Sequence, residues 1–285
     1  MKLESPHRLL AVIAFLMTAW AASVAASPKS GDTSAAGSKS PPVALITGSD
    51  RGIGFALVQE LETRGWRVLA TCRDPNHAES LKQFASAHRR VTIEPLDVTD
   101  NVAIEALSAR YRAQPIDVLI NNAGIAASLG SAGLGSLSPE DFVQAMRINT
   151  YAPLKISVAF LDQVAASRQK KIVSITSGLG SLFQAPQFKG TTYYSISKAG
   201  LNMAMRLLES EVRDRGVLVG LVTPGPVDTD MNRAYRAAAA QAGRPVATPA
   251  LSPADSARSL ADYIETLGPD RSGRFYSYSG QEVPW

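Results

Sequence analysis

Apolar residues along this chain fall into short runs, separated by longer stretches in which they return every third or fourth position. The runs lie at 43–46, 68–71, 91–96, 116–120, 171–176 and 217–222, with a seventh at 274–276. Short apolar runs of this kind predict strands buried on both faces. Helical spacing marks residues near 101–113, 139–166, 194–215 and 253–267, and Gly65 stands where the first helix should stop. Strands alternating with helices imply a parallel sheet covered on both sides and joined by right-handed crossovers. The predicted fold is α/β, a doubly wound Rossmann-type sheet in the order 3-2-1-4-5-6-7, with its ligand at the C-terminal edge of the strands. No internal repeat and no second domain is visible from Pro42 to Trp285.

The pattern changes before Pro42. Lys2 and Arg8 precede an apolar run at 9–22, and small residues fill 23–27. A basic start, a short apolar stretch and a cleavage site after Ala26 describe a secretory signal, whereas a spanning helix needs about 20 apolar residues. Three readings stand. Residues 1–26 are a cleaved signal and the protein is exported or periplasmic; they remain as a membrane anchor; or the start lies further downstream and the protein is cytoplasmic. No twin-arginine pair marks export in a folded state. Residues 27–41, rich in Ser, Gly, Ala and Pro, predict a flexible linker, and 42–285 the folded domain.

The 285 residues suffice for one large α/β domain, and a hydrophobic content of 45% is that of an ordinary globular protein. Net charge is +4 and no basic run stands out, which argues against nucleic acid as a partner. Cys72 is the only cysteine, so an intrachain disulfide and a cysteine-rich metal site are excluded.

Candidate chemistry lies just after the strands. The first leads into Thr47-Gly48-Ser49-Asp50-Arg51-Gly52-Ile53-Gly54 and then a helix. Such a turn lets backbone approach a pyrophosphate, with the helix N-terminus offering unpaired N–H groups. Asn121-Asn122-Ala123-Gly124 follows the fourth strand, Thr176-Ser177-Gly178 the fifth and Pro224-Gly225-Pro226-Val227-Asp228-Thr229 the sixth. Tyr194 and Lys198 share a helix face at i, i+4; Tyr193 has Ser197 at that spacing and no cation. A phenol titrates near ~10, and a close ammonium lowers that by about 1–3 units, making Tyr194 a general acid or base near neutral pH. A serine at a strand's C-terminal end, such as Ser177, can donate to an oxygen that gains charge. Asn149 falls inside a predicted helix, where asparagine is a poor former.

Together these motifs resemble the short-chain dehydrogenase/reductase family, whose cofactor turn has the TGxxxGxG spacing, and the resemblance extends over nearly all of 42–285. It implies a nicotinamide dinucleotide. Gly48, Ser49, Arg51, Gly52, Ile53 and Gly54 then form the pyrophosphate turn. Asn122, Ala123 and Gly124 line the ribose and stabilise the central sheet. Asp97 and Val98 flank the adenine, although Asp97 also reads as a turn or capping acid. Pro224, Gly225, Val227 and Thr229 grip the nicotinamide carboxamide. The resemblance gives catalysis to Asn149, Ser177, Tyr194 and Lys198, with Asn149 holding a water that relays protons to Lys198 and Lys198 binding ribose hydroxyls. In the family the serine commonly stands thirteen residues before the tyrosine, the position of Ser181; Ser177 stands seventeen before it but directly follows the strand, and is preferred.

Where the family's NAD enzymes carry an acid after the second strand, this chain has Cys72 and Arg73. Arg73, with Arg51 close by, favours the 2′-phosphate of NADP(H); Asp74 keeps NAD(H) open. The ending, 272–276 and 280–285, is similar to the C-factor and sniffer-like carbonyl reductases, with Ser279 where an Asp is usual. The implied reaction is reduction of a carbonyl to an alcohol, or its reverse, on a small, modestly apolar aldehyde, ketone or quinone read by loops 126–138 and 231–251. Ala237-Ala238-Ala239-Ala240 suggests a short helical lid. Family members associate as dimers or tetramers through the helices near 139–166 and 194–215. The alternative is a signalling or envelope protein of the same fold that binds cofactor without turnover.

Overall fold

Each apolar run becomes a strand because helices cover it on both sides. The strands are β1 (Val43–Ile46), β2 (Arg67–Cys72), β3 (Val91–Pro95), β4 (Val118–Asn121), β5 (Lys171–Ile175), β6 (Leu218–Thr223) and β7 (Phe275–Ser277). They form one sheet in the order β3-β2-β1-β4-β5-β6-β7, every pair parallel. This is the expected order. The computed structural model describes residues 40–126, 129, 138–244 and 250–285. The apolar run 9–22, nearly all of loop 126–138 and residues 245–249 lie outside the described residues.

Alternation along the central strands divides the core in two. Ala44 and Ile46 of β1 face Leu57, Leu61, Leu260 and Ile264 beneath α1 (Gly52–Thr63) and α9 (Pro253–Thr266). Val43 and Leu45 face the opposite cluster, with Ile104, Ile156, Phe160 and Met205 from α3 (Asn101–Arg110), α5 (Ala152–Ala159) and α7 (Thr192–Val212) and the turn after α5. The remaining helices are α2 (Glu79–Ala87), α4 (Pro139–Met146), α6 (Leu161–Ala165) and α8 (Asp230–Gln241).

Two expectations change in detail. The continuous helix near 139–166 is divided into α4, a π-helical turn at Arg147–Tyr151, α5 and α6. The alanine run 237–240 is the end of α8, a longer helix whose N-terminus Thr229 caps by accepting from Asn232 N. Among the described residues no helix is long and apolar enough to cross a membrane.

Candidate active site

The glycine turn is fixed by contact. Gly48 and Gly52 have φ of 68° and 56°, the left-handed region that favours glycine. A Cβ on Gly54 would lie 2.0 Å from Gly48 O and 2.5 Å from Asn122 Nδ2, and one on Gly48 would lie 2.9 Å from Ala123 Cα. Asn122 Nδ2 donates to Thr47 O and Gly48 O, both at 2.9 Å. Buried Thr47 Oγ1 accepts from Asn122 N at 3.0 Å and Ala123 N at 3.1 Å. The segment after β4 therefore braces the turn after β1. Asn121 Nδ2 donates to Ser157 Oγ and Ser174 Oγ, joining β4 to α5 and β5. No side chain caps the start of α1, so its first N–H groups face the cleft without a side-chain partner. Thr47 was not among the expected site residues; its signal is a hydroxyl at a strand end beside an Asn-Asn pair.

A cleft of ≈ 690 Å³ lies along the C-terminal edge of the sheet. Gly48, Arg51, Gly52, Ile53 and Gly54 line its floor beside Asn122, Ala123 and Gly124. Arg73, Asp97 and Val98 line the side of β2 and β3; Tyr194, Lys198, Pro224 and Thr229 line the side of β5 and β6. Three expected cofactor residues sit behind the wall instead. Ser49 is fully buried, its N donating to Thr71 O and its Oγ to Ile46 O. Gly225 packs where a Cβ would meet Tyr278 at 2.7 Å, and buried Val227 bridges to Leu251. Ile125, Gln144, Arg147, Ile148 and Met231 join the lining without having been singled out in the sequence.

Tyr194 and Lys198 are both buried on α7, with Lys198 Nζ 5.8 Å from the Tyr194 ring centre. The Ser177 side chain neighbours the Tyr194 phenol, and its Oγ accepts from Leu179 N at 3.2 Å. Ser181, the alternative by spacing, is fully buried, with its Oγ donating to Pro284 O at 2.6 Å and accepting from Gln184 N. It holds the C-terminal segment; neither serine is among the cleft-lining residues, where Thr176 is found instead, but Ser177 neighbours the Tyr194 phenol and Ser181 does not.

Asn149 lies in the π-helical turn, fully buried, directly behind Gly124. Its Oδ1 accepts from Ile125 N at 2.8 Å, and its Nδ2 donates to Ile125 O at 2.9 Å and Ser197 Oγ at 3.0 Å. Ser197 Oγ donates in turn to Tyr194 O at 2.8 Å. The amide therefore ties the cleft floor to α7, one residue before Lys198, which is the reason for an asparagine there. π-turns of this kind gather at functional sites.

The expectation that Lys198 lowers the Tyr194 pKa is corrected by burial. Desolvation raises the phenol, and neighbouring Ser177 offsets part of that rise. The same desolvation lowers Lys198 to about 8, and its Nζ donates to Ile175 O at 3.0 Å. Its ammonium is directed at the Ile175 carbonyl, and burial of the phenol outweighs it.

At the β2 end Arg73 is exposed in the cleft, whereas Asp74 is engaged. Asp74 Oδ2 takes His77 Nδ1 at 2.6 Å and Oδ1 accepts from Asn76 N at 2.9 Å, capping a turn at Pro75–His77. Asp97 Oδ1 accepts from Thr99 N and Oγ1, both at 2.8 Å, the local turn that was its simpler reading. Burial works to raise its carboxyl, but the Thr99 bonds with Arg73 and Arg147 nearby hold it below its ordinary value. Arg51 reaches away from Arg73, with Nη1 3.5 Å from Asp230 and Nε 3.8 Å from Asp50.

Residues 42–240 match the short chain dehydrogenase family. The chain belongs to that family. As an oxidoreductase of this kind it is similar to the C-signal of Myxococcus xanthus, 38% identical over 60% of this chain and 93% of the relative. Among solved structures, the NADPH-bound carbonyl reductase from chicken fatty liver is 30% identical with a TM-score of 0.76, covering 86% of this chain and 99% of that one. The carbonyl reductase Sniffer of Drosophila melanogaster is 26% identical with a TM-score of 0.74, covering 86% of this chain and all of that one. A short-chain dehydrogenase cofactor fits the residues here: the glycine cradle is one that any Cβ would fill, and it lies under an uncapped helix start.

Proposed function

We propose that this short-chain dehydrogenase is an NADP(H)-dependent carbonyl reductase with Tyr194 as its general acid. The observation that carries the reading is Tyr194 with Lys198 one turn away, both lining the cleft that also holds the glycine turn. When bound, the dinucleotide supplies the hydride. Ser177 donates to the carbonyl oxygen and orients it. Tyr194 gives that oxygen its proton. A raised phenol pKa keeps Tyr194 protonated at neutral pH, the form that reduction needs. Lys198, with a pKa of about 8, restores the phenol proton and would hold the ribose hydroxyls of a bound dinucleotide. Asn149 is the positioning residue that holds Gly124 and α7 at fixed separation.

Arg73 favours the 2′-phosphate, because the neighbouring acid is bonded to His77 and Asn76. Self-association belongs to the same proposal, supported by Ile196, Met203 and Leu207, which are exposed along α7; light scattering of the purified chain measures it, and a monomer would remove this part.

The test is NADPH consumption by the full chain against a panel of aldehydes, ketones and quinones. Turnover with at least one carbonyl, faster with NADPH than with NADH, is expected. Cofactor binding without turnover on any of them would favour a signalling role for the same fold.

A further inference from the structure

Arg73 is not alone at the β2 end of the cleft. It follows β2 directly, and His77 closes the short turn Pro75–His77; both are exposed and both line the cleft. Pro75 starts the turn with a fixed φ, and Asp74 caps it by accepting from Asn76 N at 2.9 Å. Lys82 Nζ donates to Asn76 O at 2.9 Å and ties the turn to α2. The place of His77 is therefore set by the backbone, although its side chain stands 85% exposed.

The acid beside it orients the ring. His77 Nδ1 lies 2.6 Å from Asp74 Oδ2. The bond from His77, and then the one from Asn76, hold the Asp74 carboxyl below its ordinary value, so it is the ionised form that accepts. A carboxylate can only accept, which keeps the hydrogen on Nδ1. Nε2 has no partner among the described residues. In the neutral ring Nε2 is then an acceptor, and in the imidazolium it is a donor.

Most other charges nearby are already engaged. Glu79 and Lys82 of α2 pair with each other at 2.9 Å, and Glu94 of β3 bonds with Arg110 and Tyr111. In the cleft wall Arg51 lies 3.8 Å from Asp50, Asp97 accepts from Thr99, and Arg147 donates to Thr99 O. Arg73 has no carboxylate within 4.0 Å among the described residues. With the His77 ring neutral, the charges of Arg73 and Asp74 cancel. With the ring protonated, the three side chains carry one net positive charge.

Resting on the NADP(H) reading above, we propose that His77 is a second cofactor-specificity residue, which binds the 2′-phosphate in its protonated form and so makes NADP(H) affinity depend on pH. A phosphate dianion has no hydrogen to offer the neutral ring, whereas the imidazolium donates to it in a charge-assisted bond. The 2′-hydroxyl of NAD(H) is both donor and acceptor and suits either form of the ring, so its binding takes up no proton. An imidazole ordinarily changes charge between about pH 5 and pH 8, and the contribution of His77 to NADP(H) binding should grow as pH falls through that window. A phosphate ester itself gains a proton near pH ~6, so the contribution of His77 is read as a difference between proteins at one pH.

The test is calorimetric binding of NADP⁺ and NAD⁺ to the full chain, without substrate, at about pH 6.5 and about pH 8.5. Wild type, His77→Ala and His77→Lys are compared, with melting temperatures confirming that each folds. His77→Ala should lose about tenfold in NADP⁺ affinity at the lower pH and about twofold or less at the higher. Any change in its NAD⁺ affinity should be the same at both. His77→Lys, a cation at both pH values, should show no such pH-dependent loss. A wild type that binds NADP⁺ no tighter than NAD⁺ at either pH would sink the NADP(H) reading and this inference together. A preference for NADP⁺ with no loss in His77→Ala, the same loss at both pH values, or the same pH-dependent loss in His77→Lys would overturn the assignment of His77 alone.

Discussion

The glycine turn, which lines the cleft, and the segment 178–190, outside its lining, are held in different ways. In the turn the backbone itself is the constraint: Gly54 leaves no room for a methyl group, and Thr47 and Asn122 join two strands beneath it. In the segment, Leu182 and Phe183 stand 75% and 68% exposed, and the backbone is tied through Ser181 to Pro284 and through Phe183 N to Trp285 O. The difference is one of tolerance. The packed turn leaves no room for an added atom, whereas the exposed side chains of the segment can be exchanged without disturbing the sheet.

The largest effect should come from adding a methyl group where the turn has no space. Gly54→Ala is expected to lower stability by about 3 kcal/mol or more and to abolish cofactor binding; thermal melts with and without NADPH measure both, and wild-type behaviour would show that the turn is looser than described. At the edge of the same half, Arg73→Ala should lower the NADPH-to-NADH ratio of kcat/KM by about 10- to 100-fold, the loss of one charge-assisted phosphate contact. An unchanged ratio would remove Arg73 from cofactor choice.

Lys198 gives a pH test of how strongly the pocket desolvates its contents. Its folded pKa is lowered to about 8 from 10.5, so the unfolded chain binds the proton more tightly and folding is penalised below pH 8. Stability should rise between pH 8 and pH 10, by about 2 kcal/mol, as the folded state no longer has to bury the charge. Tyr194, whose pKa is raised, opposes this only above its unfolded value near ~10. Lys198→Met should lack the rise in denaturant melts; a rise in both proteins would assign it elsewhere. The smallest effect belongs to the exposed segment. Leu182→Ser/Phe183→Ser should leave kcat, KM and melting temperature within about twofold or about 1 °C of the wild type, and a larger change in steady-state kinetics would place the segment at the site.

How far these features were legible in the sequence follows from their range. Strand order followed from alternating short apolar runs and helical spacing, and the glycine turn from adjacent residues. Asn149 was visible as an anomaly in a helix, but the π-turn that accommodates it depends on Ile125 and Ser197, distant in sequence. Spacing could not separate Ser177 from Ser181, because the bond that occupies Ser181 comes from Pro284. The Tyr194 pKa was read from one neighbour, whereas burial by the whole pocket sets its direction.

The central claim is that Tyr194 protonates a carbonyl oxygen as hydride arrives from NADPH. Single-turnover transfer from NADPH deuterated at the nicotinamide C4 position tests it most directly, with wild type and Tyr194→Phe both saturated with cofactor. Deuterium should appear on the alcohol carbon in the wild type, and Tyr194→Phe should be slower by about 10²- to 10⁴-fold with cofactor affinity little changed. Equal transfer rates in the two proteins would contradict the account.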